Sequence, residues 1–154
     1  MPMKGEITVK NQEGTLLEGP RDNGSSLIFE YDHGVKLGYD RDENKLTQSR
    51  QIRSFRIVKD VDQLTPQLYE MVCKGRTCTE VVITLYKIND SGDEEPYFTY
   101  TLEEAKVVTV EDLMPSTKHK ENENVGHQER VEFLAKKLTW EYLEGGIVFS
   151  EEAF

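Results

Sequence analysis

Apolar and polar residues alternate along much of this chain with the period of two that β-strands produce. The longest alternation runs from Leu27 to Tyr39, where every odd position except His33 is apolar and the even positions include charged residues. This pattern predicts one long strand with a buried odd-numbered face. His33 shares that face and is interpreted as a packed histidine rather than a ligand, since no second histidine stands at a metal-binding spacing.

Four further strands follow from the same criteria. They are predicted at Glu6–Lys10, Ile52–Lys59, Glu80–Ile88 and His127–Tyr142. Two of them, at residues 52–59 and 80–88, carry apolar residues on both faces, which predicts burial on both sides or closure of a barrel.

One short helix is predicted between two of these strands. Thr65 can cap it, Pro66 suits its first turn, and Gly75 can adopt the left-handed conformation that ends it. An apolar stripe with helical spacing consists of Leu64, Leu68, Met71 and Val72. At about nine residues such a helix is not stable alone, so we expect it to dock against the sheet.

The segment Tyr97–Pro115 begins as a strand, looks helical at "LEEA" and then becomes a strand again. Continuous pairing would turn Ala105 and Val107 away from the face that Leu102 shares with the preceding aromatic residues. One extra residue near Glu103 and Glu104 would restore them to that face. The segment is therefore predicted to be a single long strand, bent by a β-bulge.

The prediction is a mainly β fold: a closed or nearly closed β-barrel of two antiparallel sheets with one short flanking α-helix. The length suits a single domain covering residues 1–154. Three segments fall outside the regular elements. Residues 118–125 are predicted to be mobile, residues 147–154 a short tail, and Asp40–Arg50 a long polar loop that is either a solvated excursion or a contact surface.

Composition narrows the function. The net charge of -10 argues against nucleic-acid binding, which needs a basic face. No apolar run is long enough to span a membrane or to serve as a signal peptide, so we expect synthesis in the cytoplasm. Cys73 and Cys78 are too few and too close together for a disulfide framework or a zinc site, and two reduced thiols are expected.

Catalytic chemistry is not apparent in the sequence. It contains no nucleophile elbow, phosphate-binding loop, His-Glu-x-x-His motif or dinucleotide fingerprint. Adjacent carboxylates such as Glu103 and Glu104 point to opposite faces of a strand and cannot converge on a substrate. We therefore expect no enzymatic activity, cofactor or metal.

Three segments together resemble the haemolysin-coregulated protein (Hcp) family, the tube subunit of bacterial type VI secretion. They are "LTPQLYEMVCKG", "YFTYTLEEAKVVTVEDLMP" and "VEFLAKKLTWEY", and their order and spacing match the family. The resemblance implies a structural β-barrel whose six copies form a ring, with the rings stacking into a hollow tube. It also implies export without a signal peptide, and a contractile sheath, a spike protein and small effector proteins as partners.

The resemblance assigns roles to individual residues. It places the polar stretch at residues 40–50 where the family has a loop that reaches a neighbouring ring. The predicted ring-stacking residues are Asp40, Arg41, Asp42, Glu43, Lys45, Gln48 and Arg50. The predicted structural core comprises Tyr69, Phe98, Tyr100, Leu102 and Trp140. Two alternatives remain: a monomeric β-barrel that binds a ligand, and a tail-tube subunit of a phage.

Overall fold

The computed structural model describes residues 3–153, apart from the side chains of Thr47, Gln48 and Ser49. This part of the chain forms nine strands and one α-helix. The strands are β1 Gly5–Lys10, β2 Ser26–Asp32, β3 Val35–Asp40, β4 Lys45–Ile52, β5 Phe55–Asp60, β6 Thr77–Ile88, β7 Glu94–Leu113, β8 Gln128–Tyr142 and β9 Ile147–Glu152. The helix α1 spans Leu64–Lys74, and a 3₁₀ turn covers Lys120–Asn122.

Six strands close into a barrel. The order β5-β2-β1-β6-β7-β8 is antiparallel throughout, and the first half of β8 pairs back with β5. This confirms the predicted closed β-barrel with one helix. The barrel wall is one continuous sheet, and a separate two-stranded sheet is formed by β3 and β4.

The predicted tail at residues 147–154 is wrong for Ile147–Glu152, which form β9. Pairing of β5 with β8 ends at Phe55 opposite Phe133, so the rest of that β8 edge is open to another strand. β9 occupies it from Lys137 to Tyr142. The backbone groups of β8 are thereby satisfied along most of its length.

The barrel interior is filled by side chains rather than by solvent. Small barrels of this size have room only for their own inward-facing residues. The apolar wall residues with no exposed surface are Ile7, Val9, Val81, Ile83, Leu102 and Phe133, together with Cys78 and Ala105. The predicted core residue Leu102 is thus fully buried.

Helix α1 packs against β7, as its apolar stripe requires. Leu64, Leu68 and Met71 are buried, and Gly75 ends the helix in the left-handed conformation at φ 62°. The predicted cap at Thr65 is wrong, because Thr65 lies inside the first turn. Asp62 serves the helix start instead: its carboxylate accepts a hydrogen bond from the Leu64 amide at 2.9 Å.

The interrupted segment is the single long strand β7, as predicted. Before Glu103 the buried residue Leu102 has an even number, and after Glu104 the buried residues Ala105 and Val107 have odd numbers. Glu104 has a left-handed φ of 50°. The predicted β-bulge near Glu103 and Glu104 is wrong, because neither neighbour shifts register there: β6 and β8 change their buried face at the same level. The register shifts of β7 lie elsewhere, at Tyr97 against β6 and at Val108 against β8.

The predicted strand from Leu27 to Tyr39 is wrong in two respects. It is broken at His33 and Gly34 into β2 and β3. A β-bulge at Phe29 also shifts its register against β5, so that Leu27 faces outward while Tyr31 lies opposite the buried Ile57. The odd-numbered residues therefore do not form one buried face.

The predicted polar loop at residues 40–50 is also wrong. β3 and β4 extend to either side of a four-residue turn, with Asp40 opposite Lys45. Asn44 closes the turn at a left-handed φ of 53°, and the Asp40 carboxylate accepts a hydrogen bond from the Asp42 amide at 2.9 Å. Side-chain turn chemistry therefore makes this segment a β-hairpin.

The remaining core predictions differ in outcome. Tyr100 and Trp140 are partly buried and pack against the core, and Phe98 is half-buried with its ring centroid 4.9 Å from that of Tyr100. Tyr69 is not among the buried residues: 36% of it is exposed, and its hydroxyl group forms a hydrogen bond with Asp112 of β7.

A cluster of charges lies at the opposite end of the barrel from the β3–β4 hairpin. Lys59 and Glu129 have no exposed side-chain surface and form an ion pair between β5 and β8. The Lys59 ammonium also contacts Asp62 Oδ1 at 2.9 Å and the Asp60 carbonyl at 3.0 Å. Burial raises the pKa of Glu129, and Lys59 opposes that shift by favouring the carboxylate.

Candidate functional site

The β3–β4 hairpin projects from the barrel as an amphipathic ribbon. Val35, Leu37 and Tyr39 share one face of β3, and Leu46 lies directly opposite Tyr39 on β4. These four residues, which we call the hairpin apolar face, are 48%, 51%, 58% and 69% exposed, respectively. An isolated two-stranded ribbon is at best marginally stable in water, and an exposed apolar face of this kind is typical of a contact surface.

The predicted ring-stacking residues lie on this hairpin. Asp40, Arg41, Asp42, Glu43 and Lys45 surround the turn, with Lys45 3.6 Å from Glu43 and the Arg41 guanidinium over the ring of Tyr39. The side chain of Gln48 lies outside the described part of the structure.

Arg50 is the exception among these residues, because it does not lie at the tip. It stands nearer the base of the hairpin, contacts Glu151 of β9 at 3.2 Å and donates to the Glu152 carbonyl. The charged groups of the tip therefore contact one another and Tyr39, whereas Arg50 holds the hairpin against the barrel.

Three contacts fix the base of the hairpin. The Arg53 amide donates to the Gly34 carbonyl at 2.9 Å. The Arg53 guanidinium donates to Asp32 Oδ1 at 2.7 Å, and the His33 ring lies 3.1 Å from the Arg53 carbonyl through Nδ1. The direction in which the ribbon leaves the barrel is thus set by His33, Gly34 and Arg53.

An aromatic cluster fills the mouth of the barrel beside this base. The His33 ring stacks on Phe55 at 5.0 Å and on Trp140 at 6.0 Å between ring centroids. The hydroxyl groups of Tyr31 and Tyr100 lie 3.2 Å apart, and burial raises the pKa of Tyr100. Stacked aromatic pairs of this kind stabilise the mouth beyond their buried area.

A second apolar surface lies on the edge strand β9. Ile147, Val148 and Phe149 are 69%, 56% and 60% exposed, and Phe149 stacks on Trp140. β9 pairs with β8 alone among the described strands, so its outer backbone edge is unpaired. It contains no proline or lysine, but its end carries Glu151 and Glu152 and is held by Arg50, so only residues 147–149 form an unprotected apolar edge.

The described residues offer little for catalysis. In residues 3–153, no three His, Cys, Asp or Glu side chains stand close enough to hold a metal ion. Burial raises the pKa of the Cys78 thiol to about 11, which leaves it protonated and unreactive. No helix in this part of the chain is long and apolar enough to cross a membrane.

Sequence reasoning found the hairpin segment but missed its apolar face. The alternation at Val35, Leu37 and Tyr39 predicts a buried strand and the polar residues after it predict a loop, whereas both belong to one exposed hairpin. The turn residues Asp40 and Asn44 were the signal that could have joined the two segments into one hairpin.

Comparison with known proteins places the chain among secretion proteins. Residues 3–142 match the family model described as "Type VI secretion system effector, Hcp". A curated protein of Pseudomonas aeruginosa, called "Major exported protein", is 28% identical over 148 residues, covering 96% of this chain and 85% of that protein.

Solved structures show the same fold. The Hcp1 protein of the E. coli EAEC 042 pathovar is 30% identical with a TM-score of 0.88, covering 99% of this chain and 100% of that one. The secreted protein Hcp3 of Pseudomonas aeruginosa has a TM-score of 0.76 over 98% of both chains and, at 20% identity, shows the shared fold alone.

Proposed function

The chain belongs to the Hcp family of the type VI secretion system, and from that premise we propose that it is a structural tube subunit of such a system. Six copies form a ring, and the rings stack into a hollow tube that carries small effector proteins and is itself exported. The partners are further copies of the chain, a contractile sheath, a spike protein and the effectors.

The hairpin apolar face is the observation that supports assembly most strongly. Its four side chains expose about half of their surface or more, on a ribbon that cannot stabilise itself. At roughly 25 cal/mol per Å² of apolar surface buried, covering such a face with a neighbouring subunit is strongly favourable. The charged tip beyond it suits a contact with the next ring.

Export is supported by a relative. The Pseudomonas aeruginosa protein whose alignment covers 96% of this chain, at 28% identity, is called "Major exported protein". We propose that this chain is likewise made in the cytoplasm and then secreted without a signal peptide. A structural rather than catalytic role agrees with the family.

The alternative function, a monomeric barrel that binds a ligand, has less support. The barrel interior is occupied by fully buried side chains such as Ile83, Leu102 and Phe133. The clefts of about 290 and 380 Å³ lie on the outer surface of the wall, between charged residues. Ligand sites in barrels are instead found inside the mouth.

Native mass spectrometry of the purified chain tests the ring. We expect a species of six times the 17.8 kDa mass of one chain. A chain that remains monomeric at micromolar concentration would refute the tube subunit and favour the ligand-binding barrel.

Shortening the hairpin tests the stacking. Lys36 faces Gln51 across the hairpin, so replacing residues 37–50 by Asn-Gly gives a tight two-residue turn. We expect this variant to form rings that no longer stack into tubes in electron micrographs. In a matched variant only residues 41–44 are replaced by Asn-Gly between the facing Asp40 and Lys45, which keeps the ribbon and removes the tip.

The two variants separate the ribbon from its tip. Tubes in both variants would contradict a stacking role for this segment. Tubes in the tip variant alone would assign stacking to the hairpin apolar face rather than to Arg41, Asp42 and Glu43.

A further inference from the structure

We propose that His33 is a pH-sensitive latch: its neutral ring holds the β3–β4 hairpin against the barrel mouth, and protonation of Nε2 releases the hairpin. Its consequence for tube assembly rests on the proposed function, but the latch itself is a property of the single chain.

The position of His33 makes it a hinge residue. β2 ends at Asp32 and β3 begins at Val35, so His33 and Gly34 are the entire link on that side of the hairpin. On the other side the link is Arg53 and Ser54, between β4 and β5. The contact of His33 Nδ1 with the Arg53 carbonyl at 3.1 Å therefore joins the two links directly.

This contact fixes the tautomer of the ring. A carbonyl oxygen can only accept, so Nδ1 carries the proton and donates it to Arg53. Nε2 is then the nitrogen with the free lone pair, and it is buried without a hydrogen-bond partner among the described residues. A second proton on Nε2 would create both a charge and an unsatisfied donor in the aromatic cluster.

The groups around the ring compensate for that charge only in part. The backbone hydrogen bonds to Arg53 and Ser54 favour an imidazolium, as do the stacked faces of Phe55 and Trp140, whereas Tyr100 meets the ring edge-on. Beside it the Arg53 guanidinium repels an imidazolium, while Asp32 attracts one but is already paired with Arg53 at 2.7 Å. The Tyr31 hydroxyl, from the same strand, is engaged with Tyr100.

The direction of the pH effect follows from these surroundings. Burial lowers the pKa of His33 below its ordinary value of 6.5, against weaker opposing effects of its backbone hydrogen bonds. With the hairpin released, the ring is in water and titrates near that ordinary value. The latch is therefore intact above pH 6.5 and weakens as the pH falls from 6.5 towards the lower pKa of the packed ring.

Nuclear magnetic resonance of the whole chain tests the latch. Ring nitrogen shifts should show the Nδ1–H tautomer of His33 at pH 7.5 and a titration midpoint below 6.5. Amide exchange measures hairpin opening: protection factors in β3 and β4, corrected for intrinsic exchange, should fall about twofold or more between pH 7 and pH 5.5. Most carboxylates stay ionised in this window.

Two variants separate the effect of protonating His33 from the effect of its packing. His33→Phe keeps a stacking ring, and His33→Asn keeps a donor for the Arg53 carbonyl, but neither can titrate. Both should lose the pH response of the hairpin, while the control variants His119→Gln and His127→Gln should retain it. Hairpin exchange that responds equally in every variant would overturn the latch, as would a wild-type midpoint at or above 6.5.

The outcome is separable from that of the proposed function. If the chain proves monomeric, the tube subunit fails while hairpin exchange still decides the latch. If rings and tubes form but their stacking and the hairpin protection are constant between pH 7 and 5.5, the tube subunit stands and the latch fails.

Discussion

Strand β5 buries a charged side chain, whereas the β3–β4 hairpin exposes apolar side chains. On the inner face of β5, Lys59 is as completely buried as Phe55 and Ile57. On the hairpin, all four residues of the hairpin apolar face are substantially exposed. Both segments alternate with a period of two, so the alternation alone does not decide what becomes buried.

The two segments differ in burial because different elements of the fold pack against them. Lys59 is buried because β8 brings Glu129 beside it and the start of α1 brings Asp62. The hairpin apolar face is exposed because, within residues 3–153, no other strand or helix packs over it. A buried charge thus depends on a partner within the chain, whereas an exposed apolar face indicates a partner outside it.

The largest expected effect comes from breaking the buried ion pair. Lys59→Met should destabilise the fold by about 3–5 kcal/mol, because it leaves the Glu129 carboxylate buried without its partner. Urea denaturation at pH 7 measures this cost. The matched double variant, Lys59→Met with Glu129→Leu, should recover much of the loss, since a well-packed apolar pair is often as stable as a buried ion pair.

Equal costs for the single and double variants would show that Lys59 contributes through packing of its stem and not through its charge. The difference between β5 and the hairpin would then be explained by apolar burial alone, without a contribution from the buried charge.

A smaller effect is expected at the aromatic cluster, which lies between the two regions. Trp140 is only partly buried, so Trp140→Ala should cost about 2 kcal/mol rather than the 3–5 kcal/mol of a fully buried tryptophan. The fully buried neighbour Leu102 provides the control, and Leu102→Ala should cost more. A larger loss at Trp140 than at Leu102 would mean that the stacking with His33 and Phe149 dominates the mouth.

Much of the barrel was predictable from the sequence, because its strands alternate and its helix is marked by Pro66 and Gly75. The irregularity in the long strand β7 was predictable because Leu102 and Ala105, both apolar, would point to opposite faces of a regular strand. Such features are local and depend on steric rules for the backbone.

The parts that were not predictable depend on distant partners. The β-bulge at Phe29 exists against β5, and β9 forms because an edge of β8 is left open beyond Phe133. The burial of Lys59 likewise requires Glu129, seventy positions away in the chain. None of these partners leaves a pattern in the residues around it.

The hairpin apolar face should contribute almost nothing to the stability of one chain. Leu37→Asp should change the free energy of unfolding of the monomer by less than about 0.5 kcal/mol, as for most surface substitutions. The same variant should still form rings but lose their stacking, because it places a charge where the next ring covers apolar surface. Lys36→Asp, on the polar face of the same strand, is the matched control, and its rings should stack. Equal stacking of both variants would show that this face is not covered.

The smallest effect concerns the charges of the tip. Each chain carries -10, so stacked rings would bring large like charges together. Repulsion between exposed charges extends about 30 Å at 0.01 M salt but only about 8 Å at 0.15 M. The hairpin cations could offset it only by reaching acidic groups of the next ring. Lys45, however, lies beside Glu43, Arg50 is engaged with Glu151, and the Arg41 guanidinium lies over the Tyr39 ring. Repulsion should therefore dominate, and stacking should strengthen as salt rises from 0.01 to 0.15 M, whereas the ring, held by apolar contacts, should respond less.

Light scattering across a salt series measures the stacking, and native mass spectrometry of the ring under the same conditions is the control. Particles that grow as salt is lowered would mean that the tip forms paired charges across the junction.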